Sequence, residues 1–419
     1  MRMPAFGLAV LLLALATARP VSAQQVELRA FMGGQHRPDV VRSLLKDYMA
    51  ANPGVKVTVE VGGATSELHQ RYLSTVLTAR DESIDAFLID IIRPAQFAAA
   101  GWAEPLDAYL GDERDAIRAR YLEGYRTANT VNGKTIALPG FADAMFLYYR
   151  KDLLEKYGEP VPTTWPELAR IARKILDAER DPNLQGLSFQ GKAVEGAVCT
   201  FLLPYWSLGG EIVRDGKMSF DRTKAEASLN MWRAMVDQGI AKRNIAEVGT
   251  DDTRKEFQAG RVLFAINWGY AWNHFQTGAD TRVAGKVGVV RLPAMPGGKS
   301  VTCSGGWSWA VSAFSRNKAE AAKLVRYLTS PAVAEQLAIR ASQHPAMAEV
   351  YADPDVLKAV PWFADALPVI ETAYARPVTP MYRPISDALR INFNTVMAGV
   401  RTPREALDEI EHRIKRALR

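Results

Sequence analysis

The chain has 419 residues, 48% hydrophobic and 23% charged, which is too long for one ordinary core and too apolar for disorder, so two domains are expected. Its formal net charge of +6 is spread without a lysine or arginine block, which leaves nucleic-acid binding without support. Two cysteines and five histidines, in no metal-ligand spacing, exclude a convincing zinc framework.

Arg2, the apolar run from Phe6 to Ala16 and the small residues Val21-Ser22-Ala23 together read as an export signal cleaved before Gln24. The run is shorter than the roughly 20 apolar residues that span a bilayer. Cleavage removes two arginines, leaving 50 basic against 46 acidic residues. No cysteine stands at the cleavage site for a lipid anchor, so free release into a periplasm is expected.

Val26 to Phe31 reads as a strand, broken by Gly33-Gly34, and Asp39 is expected to cap a helix with Val40, Val41, Leu44, Leu45 and Tyr48 on one face. Val55, Val57, Val59 and Val61 alternate as a half-buried strand, a helix follows over Ser66 to Arg80, and Asp85 to Asp90 is a short apolar strand between acids. Strand–helix–strand–helix–strand predicts a parallel α/β sheet. Asp90 then stands at a strand's carboxyl end, where such sheets bind ligands, although capping the next turn is the commoner role of a lone aspartate. Asn132-Gly133 predicts a hairpin. It leads into Ala137 to Leu168, where Asp143, Tyr148 and Tyr149 precede a capping box at Thr164 and Glu167. This stretch is expected to carry the chain from one lobe to another.

Further on, Ala197 to Ser207, Glu226 to Gln238 and Asp251 to Gln258 read as helices, and Val262 to Ile266 and Val287 to Leu292 as strands. Ser304-Gly305-Gly306-Trp307 reads as a turn before a strand at Ala310 to Ala313. Asn317 to Leu328 and Pro331 to Ile339 are helical, and Thr402, Pro403 and Glu405 start a final capped helix. Cys199 and Cys303 either pair, as an oxidising compartment favours, or stay as two buried thiols.

Trp268, Tyr270, Trp272, Trp307 and Trp309 cluster around glycine-bearing turns, where an indole face suits the apolar face of a sugar ring. Carboxylates and guanidinium groups match its hydroxyls through charge-assisted hydrogen bonds. No nucleophile elbow, phosphate loop or dinucleotide fingerprint occurs. Binding therefore ranks above catalysis, and no cofactor is expected.

Several segments, in order, carry a resemblance: ALPGFADAMFLYYRKDLLEKYG (Ala137 to Gly158), FLIDI (Phe87 to Ile91), GWAEPLD (Gly101 to Asp107), NWGYAW (Asn267 to Trp272), SGGW (Ser304 to Trp307) and ARPVTP (Ala375 to Pro380). With them the chain resembles a family-1 extracellular solute-binding protein of an ABC sugar importer, closest to trehalose/maltose-binding proteins. The resemblance implies an α/β, two-lobed periplasmic-binding-protein fold of the maltose-binding type, with the sugar in the cleft and a membrane permease as partner. It implies ligand contacts from Arg71, Asp90, Asp143, Trp268, Tyr270, Gly306, Trp307 and Arg376. Phe141 stands where relatives often offer a tyrosine. The loop Gly33 to Asp39 is shorter and more basic than theirs, with Asp39 a candidate replacement for a lost carboxylate. The expected lobes are 24–138 plus 288–331, and 139–287 plus 332–419, which puts Cys199 and Cys303 on opposite sides. A monomer is expected. The competing readings are an exported carbohydrate-active enzyme and a sugar receptor serving a chemosensor.

Overall fold

The computed structural model describes residues 25–63 and 65–419; the expected signal segment, residues 1–23, lies outside them. No helix among the described residues is long and apolar enough to cross a membrane. In chain order the strands are β1 (Val26–Met32), β2 (Val55–Val61), β3 (Ala86–Asp90), the hairpin β4 (Thr130–Val131) and β5 (Lys134–Thr135), and β6 (Leu138–Arg150). They continue with β7 (Gln185–Ser188), the hairpin β8 (Val213–Arg214) and β9 (Lys217–Met218), β10 (Val262–Trp268), β11 (Val287–Val290) and β12 (Ser304–Val311). The main sheet runs β2-β1-β3-β12-β6-β10-β7, with β11 also on β6.

Local chemistry explains most of these elements. In β2, Val55, Val57 and Val59 are buried while Lys56 and Thr58 are exposed, as a two-residue period requires. Both expected capping boxes form: Thr164 and Thr402 accept the N–H three residues on, and Glu167 and Glu405 reach back to the cap. Asp39 is not a cap. The helix Pro38–Ala51 is entered through Arg37, whose φ of 56° is left-handed, with Pro38 at the first helical position. Asp39 sits in the first turn, where its charge suits the positive helix end.

Strand β6 is the joint between lobes. Leu138 to Ala144 pair with β12, whose other side pairs with β3. Met145 to Arg150 instead pair with β10 and β11. The switch of partners at Ala144/Met145 is where the sheet passes from one lobe to the other. Every residue from Leu138 to Tyr148 is buried, as expected of a strand covered on both faces.

Two lobe boundaries differ from the sequence reading. Strand β11 pairs with the second half of β6, and Leu292, Val301 and Cys303 lie in the second lobe's core. The chain therefore returns to the first lobe near Ser304, not near 288. The helix Pro331–Ala341 packs on the first-lobe helix Pro38–Ala51, Met347 bridges Tyr121, and the helix Phe363–Glu371 follows in the same segment. The last crossing is thus Thr372 to Met381, not residue 332. Hydrophobic periodicity identifies a helix but not the sheet it covers, so such boundaries depend on contacts distant in sequence. The Gly305-Gly306 pair is likewise extended inside β12 rather than a turn before it.

Cys199 and Cys303 form a disulfide, with Cα atoms 5.6 Å apart and a sequence separation of 104. Both are fully buried in the second lobe's core, so the bond lies within one lobe and places no restraint on lobe closure. Cross-linking a loop this long stabilises chiefly by restricting the unfolded chain. Cys199→Ser is expected to lower the unfolding free energy by about 2–5 kcal/mol, read from urea midpoints. The same drop is expected in the parent protein under reductant, and a parent midpoint indifferent to reductant would contradict it.

Candidate functional site

A cavity of about 290 Å³ lies between the lobes at the carboxyl ends of the first-lobe strands. From the first lobe it is lined by Gln35 and His36 after β1, Ser66 and Glu67 at the start of the helix Ser66–Thr78, Asp90 ending β3, Phe141 and Asp143 on β6, and Gly305 to Trp307 on β12. The second lobe contributes Lys192, Glu195 and Gly196, the segment Gly249 to Asp252, Trp268 at the end of β10 and Tyr270 just after it. Arg376 enters from the last crossing segment.

Arg376 joins the two sides. Its Nη2 donates to Asp90 Oδ1 at 3.1 Å, and its Nη1 to Glu195 Oε1 at 2.9 Å. All three side chains are buried. Asp90 also accepts from Ser66 Oγ at 2.9 Å, and Glu195 from Ser386 Oγ at 2.6 Å and from the Tyr382 hydroxyl. Burial alone would raise the Glu195 pKa, but Arg376 and Arg93 hold it below the usual carboxylate value. The same exchange raises the Arg376 pKa against its own desolvation.

Asp143 is buried without a cationic partner. Its Oδ1 accepts the backbone N–H groups of Gly269 and Ala144, each at 2.8 Å. Burial pushes its pKa up to about 7, against the pull of those two donors. The Tyr125 hydroxyl donates to the Asp143 carbonyl at 3.0 Å and accepts its N–H at 3.1 Å, which fixes the backbone there. Across the joint, the Tyr148 hydroxyl donates to the Trp268 carbonyl at 2.9 Å, so this tyrosine positions the aromatic turn from behind.

The aromatic side depends on the two glycines of β12. A Cβ on Gly305 would stand 2.4 Å from the Trp268 ring, so the indole lies directly on that backbone. Gly306 has a φ of 118° and a Cβ there would meet the Phe141 carbonyl oxygen at 2.6 Å; only glycine fits. Trp307 packs under His36, ring centroids 4.1 Å apart, and His36 lies 5.6 Å from Phe141. Burial lowers the His36 pKa well below its ordinary value and keeps the ring neutral.

Of the residues named from sequence, Asp90, Phe141, Asp143, Trp268, Tyr270, Gly306, Trp307 and Arg376 are brought together around this cavity. Two are not. Arg71 faces a separate cavity on the flank. Asp39 forms a paired contact with Arg37, both distances 2.9 Å, outside the cleft. Arg37 itself reaches over the cleft to Asn273 Oδ1 at 3.2 Å. Glu67 likewise accepts the backbone N–H of Glu195 from the opposite lobe. These contacts hold the lobes closed on each other.

Sequence reasoning missed His36, Glu67, Lys192 and Glu195. Glu195 did carry a signal: it heads a helix, Glu195–Ser207, whose every residue is buried and which has no other charge. Three buried polar atoms at the cavity have no partner within the protein: Gln35 Oε1, His36 Nε2 and Arg376 Nε. An unmet buried polar atom is unfavourable by about 1–3 kcal/mol. The cavity therefore combines unmet polar atoms in its lining with an aromatic wall.

A family model described as bacterial extracellular solute-binding protein matches residues 35–335. A probable ABC transporter-binding protein of Deinococcus radiodurans is 38% identical over 352 residues, covering 81% of each chain. The mannitol-binding protein of Pseudomonas aeruginosa is 26% identical over 282 residues, covering 65% of this chain and 62% of its own. Among solved structures, maltose-bound MalE3 of T. maritima superposes with a TM-score of 0.87 at 32% identity, over 93% of this chain and 99% of the other.

Proposed function

The chain belongs to the bacterial extracellular solute-binding protein family, and we propose that it captures a glucose-containing disaccharide such as maltose or trehalose in the periplasm. The family binds small sugars and serves ABC transporters; its members are binding proteins, not enzymes. In this reading the chain acts as a monomer, released by cleavage before Gln24, and delivers the sugar to its permease.

The observation that carries the proposal is the arrangement of Trp268. Its partly buried indole lies on Gly305, within the same cavity as Asp143, Asp90 and Arg376. One sugar ring would stack on the indole while its hydroxyls donate to Asp143 and accept from Arg376. Glu195, Trp268 and Tyr270 come from one lobe and Asp90, Asp143 and Trp307 from the other, so a guest touching both sets favours the closed form. Phe141 replaces a polar contact with an apolar one beside His36, and this pair is our candidate for choosing among disaccharides.

A thermal-shift panel of disaccharides and polyols on the purified protein tests the proposal. Maltose or trehalose is expected to raise the melting temperature, and a panel without any stabilising sugar would overturn the reading. Trp268→Ala is expected to weaken sugar binding roughly tenfold to a hundredfold, because an aromatic platform combines buried area with a specific face. Unchanged affinity by calorimetry would remove the stacking role.

A further inference from the structure

A second interlobe cavity, of about 580 Å³, opens on the flank of the cleft between the first-lobe helix Ser66–Thr78 and the second-lobe helix Tyr382–Met397. Four arginines line it: Arg71 and Arg93 from the first lobe, Arg383 and Arg390 from the second. We propose that this cavity is a binding site for a small oxyanion, a phosphate or carboxylate group, held by arginines of both lobes.

The acids in the cavity neutralise this set only in part. Arg93 helps to hold the Glu195 charge, but the hydrogen bonds of Glu195 go to Arg376, through Oε1, and to Ser386, through Oε2. Asp387 pairs with Arg390 at 2.7 Å. Glu67 spends Oε1 on the Glu195 N–H, and burial with the nearby Glu195 charge raises its pKa, which weakens it as a counter-ion. None of the ion pairs among the described residues involves Arg71 or Arg383, which stand exposed on opposite lobes.

The second observation is Arg93. It is only 4% exposed, yet its Nε has no hydrogen-bond partner. Its Nη1 donates to Gln96 at 3.2 Å, and its guanidinium sits 5.6 Å from the centre of the Tyr382 ring. A buried, permanently charged donor left unmet is strongly unfavourable, and planar guanidinium groups match oxyanions in paired geometry. In the proposed site an oxyanion is held by exposed Arg71 and Arg383, with the buried Arg93 guanidinium in the cavity lining adding its positive charge. Because these residues belong to both lobes, the anion ties the lobes together without entering the sugar cavity. Linkage then requires the anion and any ligand that favours closure to tighten each other's binding.

The test is calorimetry and melting of the purified protein in inorganic phosphate and, separately, in succinate, against chloride at matched ionic strength. Saturable binding with a raised melting temperature is expected in at least one arm. Phosphate alone would identify a phosphate group, succinate alone a carboxylate, and both an oxyanion of either kind. The Arg71→Gln, Arg383→Gln double variant is expected to weaken that binding roughly tenfold or more. Both positions are exposed, so its melting temperature in chloride should match the parent. Sugar-induced stabilisation in chloride should also be unchanged, so failure of the sugar reading is distinguishable from failure of this one. No binding in either arm, or binding indifferent to the double substitution, overturns the proposal.

Discussion

Arg376→Met is expected to lower the unfolding free energy by about 3–5 kcal/mol, the usual result of removing one partner from a buried ionic group. Arg376 is 3% exposed and stands between Asp90 of the first lobe and Glu195 of the second. Asp90 would keep Ser66 and a long contact from the Ile92 N–H, and Glu195 would keep Ser386 and Tyr382. Those groups meet hydrogen bonds but not charge. The pH dependence should change with it. In the parent, the depressed Glu195 pKa means its contribution is fully present above the unfolded carboxylate pKa and is lost as pH falls through the folded value. Without Arg376 the burial effect dominates, the pKa rises, and acidification should relieve the loss instead. Adding Asp90→Asn and Glu195→Gln to Arg376→Met should recover most of the stability, because neutral amides need no counter-charge. Urea unfolding at pH 5 and 8 provides the readout. A loss below about 1 kcal/mol would mean that the triad is solvated rather than buried.

Much of the site was legible because its residues lie at ends of elements that local rules define. Asp90 closes one apolar strand and Trp268 closes another; apolar runs locate both ends. The stretch from Ala137 to Leu168 is expected to break at Pro139-Gly140, but β6 runs through both residues from Leu138 to Arg150, because pairing with β12 on one half and β10 and β11 on the other holds it extended. Arg71 failed as a site residue for a physical reason. It occupies an exposed position on the helix Ser66–Thr78, while the cavity is lined by Ser66 and Glu67 at that helix's N-terminus. Which face of a surface helix meets the opposite lobe is set by lobe closure, which leaves no periodic trace in the chain. The same limit hid the Cys199–Cys303 bond's placement: the two partners share a lobe because β11 pairs with the second half of β6, a contact distant in sequence.

Asp143→Asn is expected to stabilise the ligand-free protein, and increasingly so as pH rises from about 4 to about 7. An acid whose folded pKa is raised binds more protons folded than unfolded, so its contribution falls through that window and levels off above it. With the Asp143 pKa moved from 3.8 to about 7, the full difference approaches about 4 kcal/mol at 1.36 kcal/mol per unit. The total stability of the parent will not display this directly. Burial lowers the pKa of His69 and His274 to about 4 and of His344 to about 3, and that of His36 falls well below its usual value. Each of those histidines adds stability as pH rises towards 6.5, opposite in sign to Asp143. The difference between variant and parent cancels them and isolates the carboxyl group. Glu67, also raised by burial, remains in both proteins. Asparagine can still accept the Gly269 and Ala144 N–H groups through its amide oxygen, so the turn should keep its shape. Sugar binding should move the other way. A hydroxyl donating to ionised Asp143 makes parent affinity climb between pH 5 and 8 with release of a proton. The variant should bind roughly tenfold to a hundredfold more weakly at pH 8, with that climb reduced. Calorimetry in buffers of different ionisation enthalpy measures the proton directly. Equal proton release in variant and parent would assign the titration to another group, with Glu67→Gln the next substitution to measure. Opposed effects on stability and affinity would mark Asp143 as a residue held against its own folding preference for the sake of the ligand.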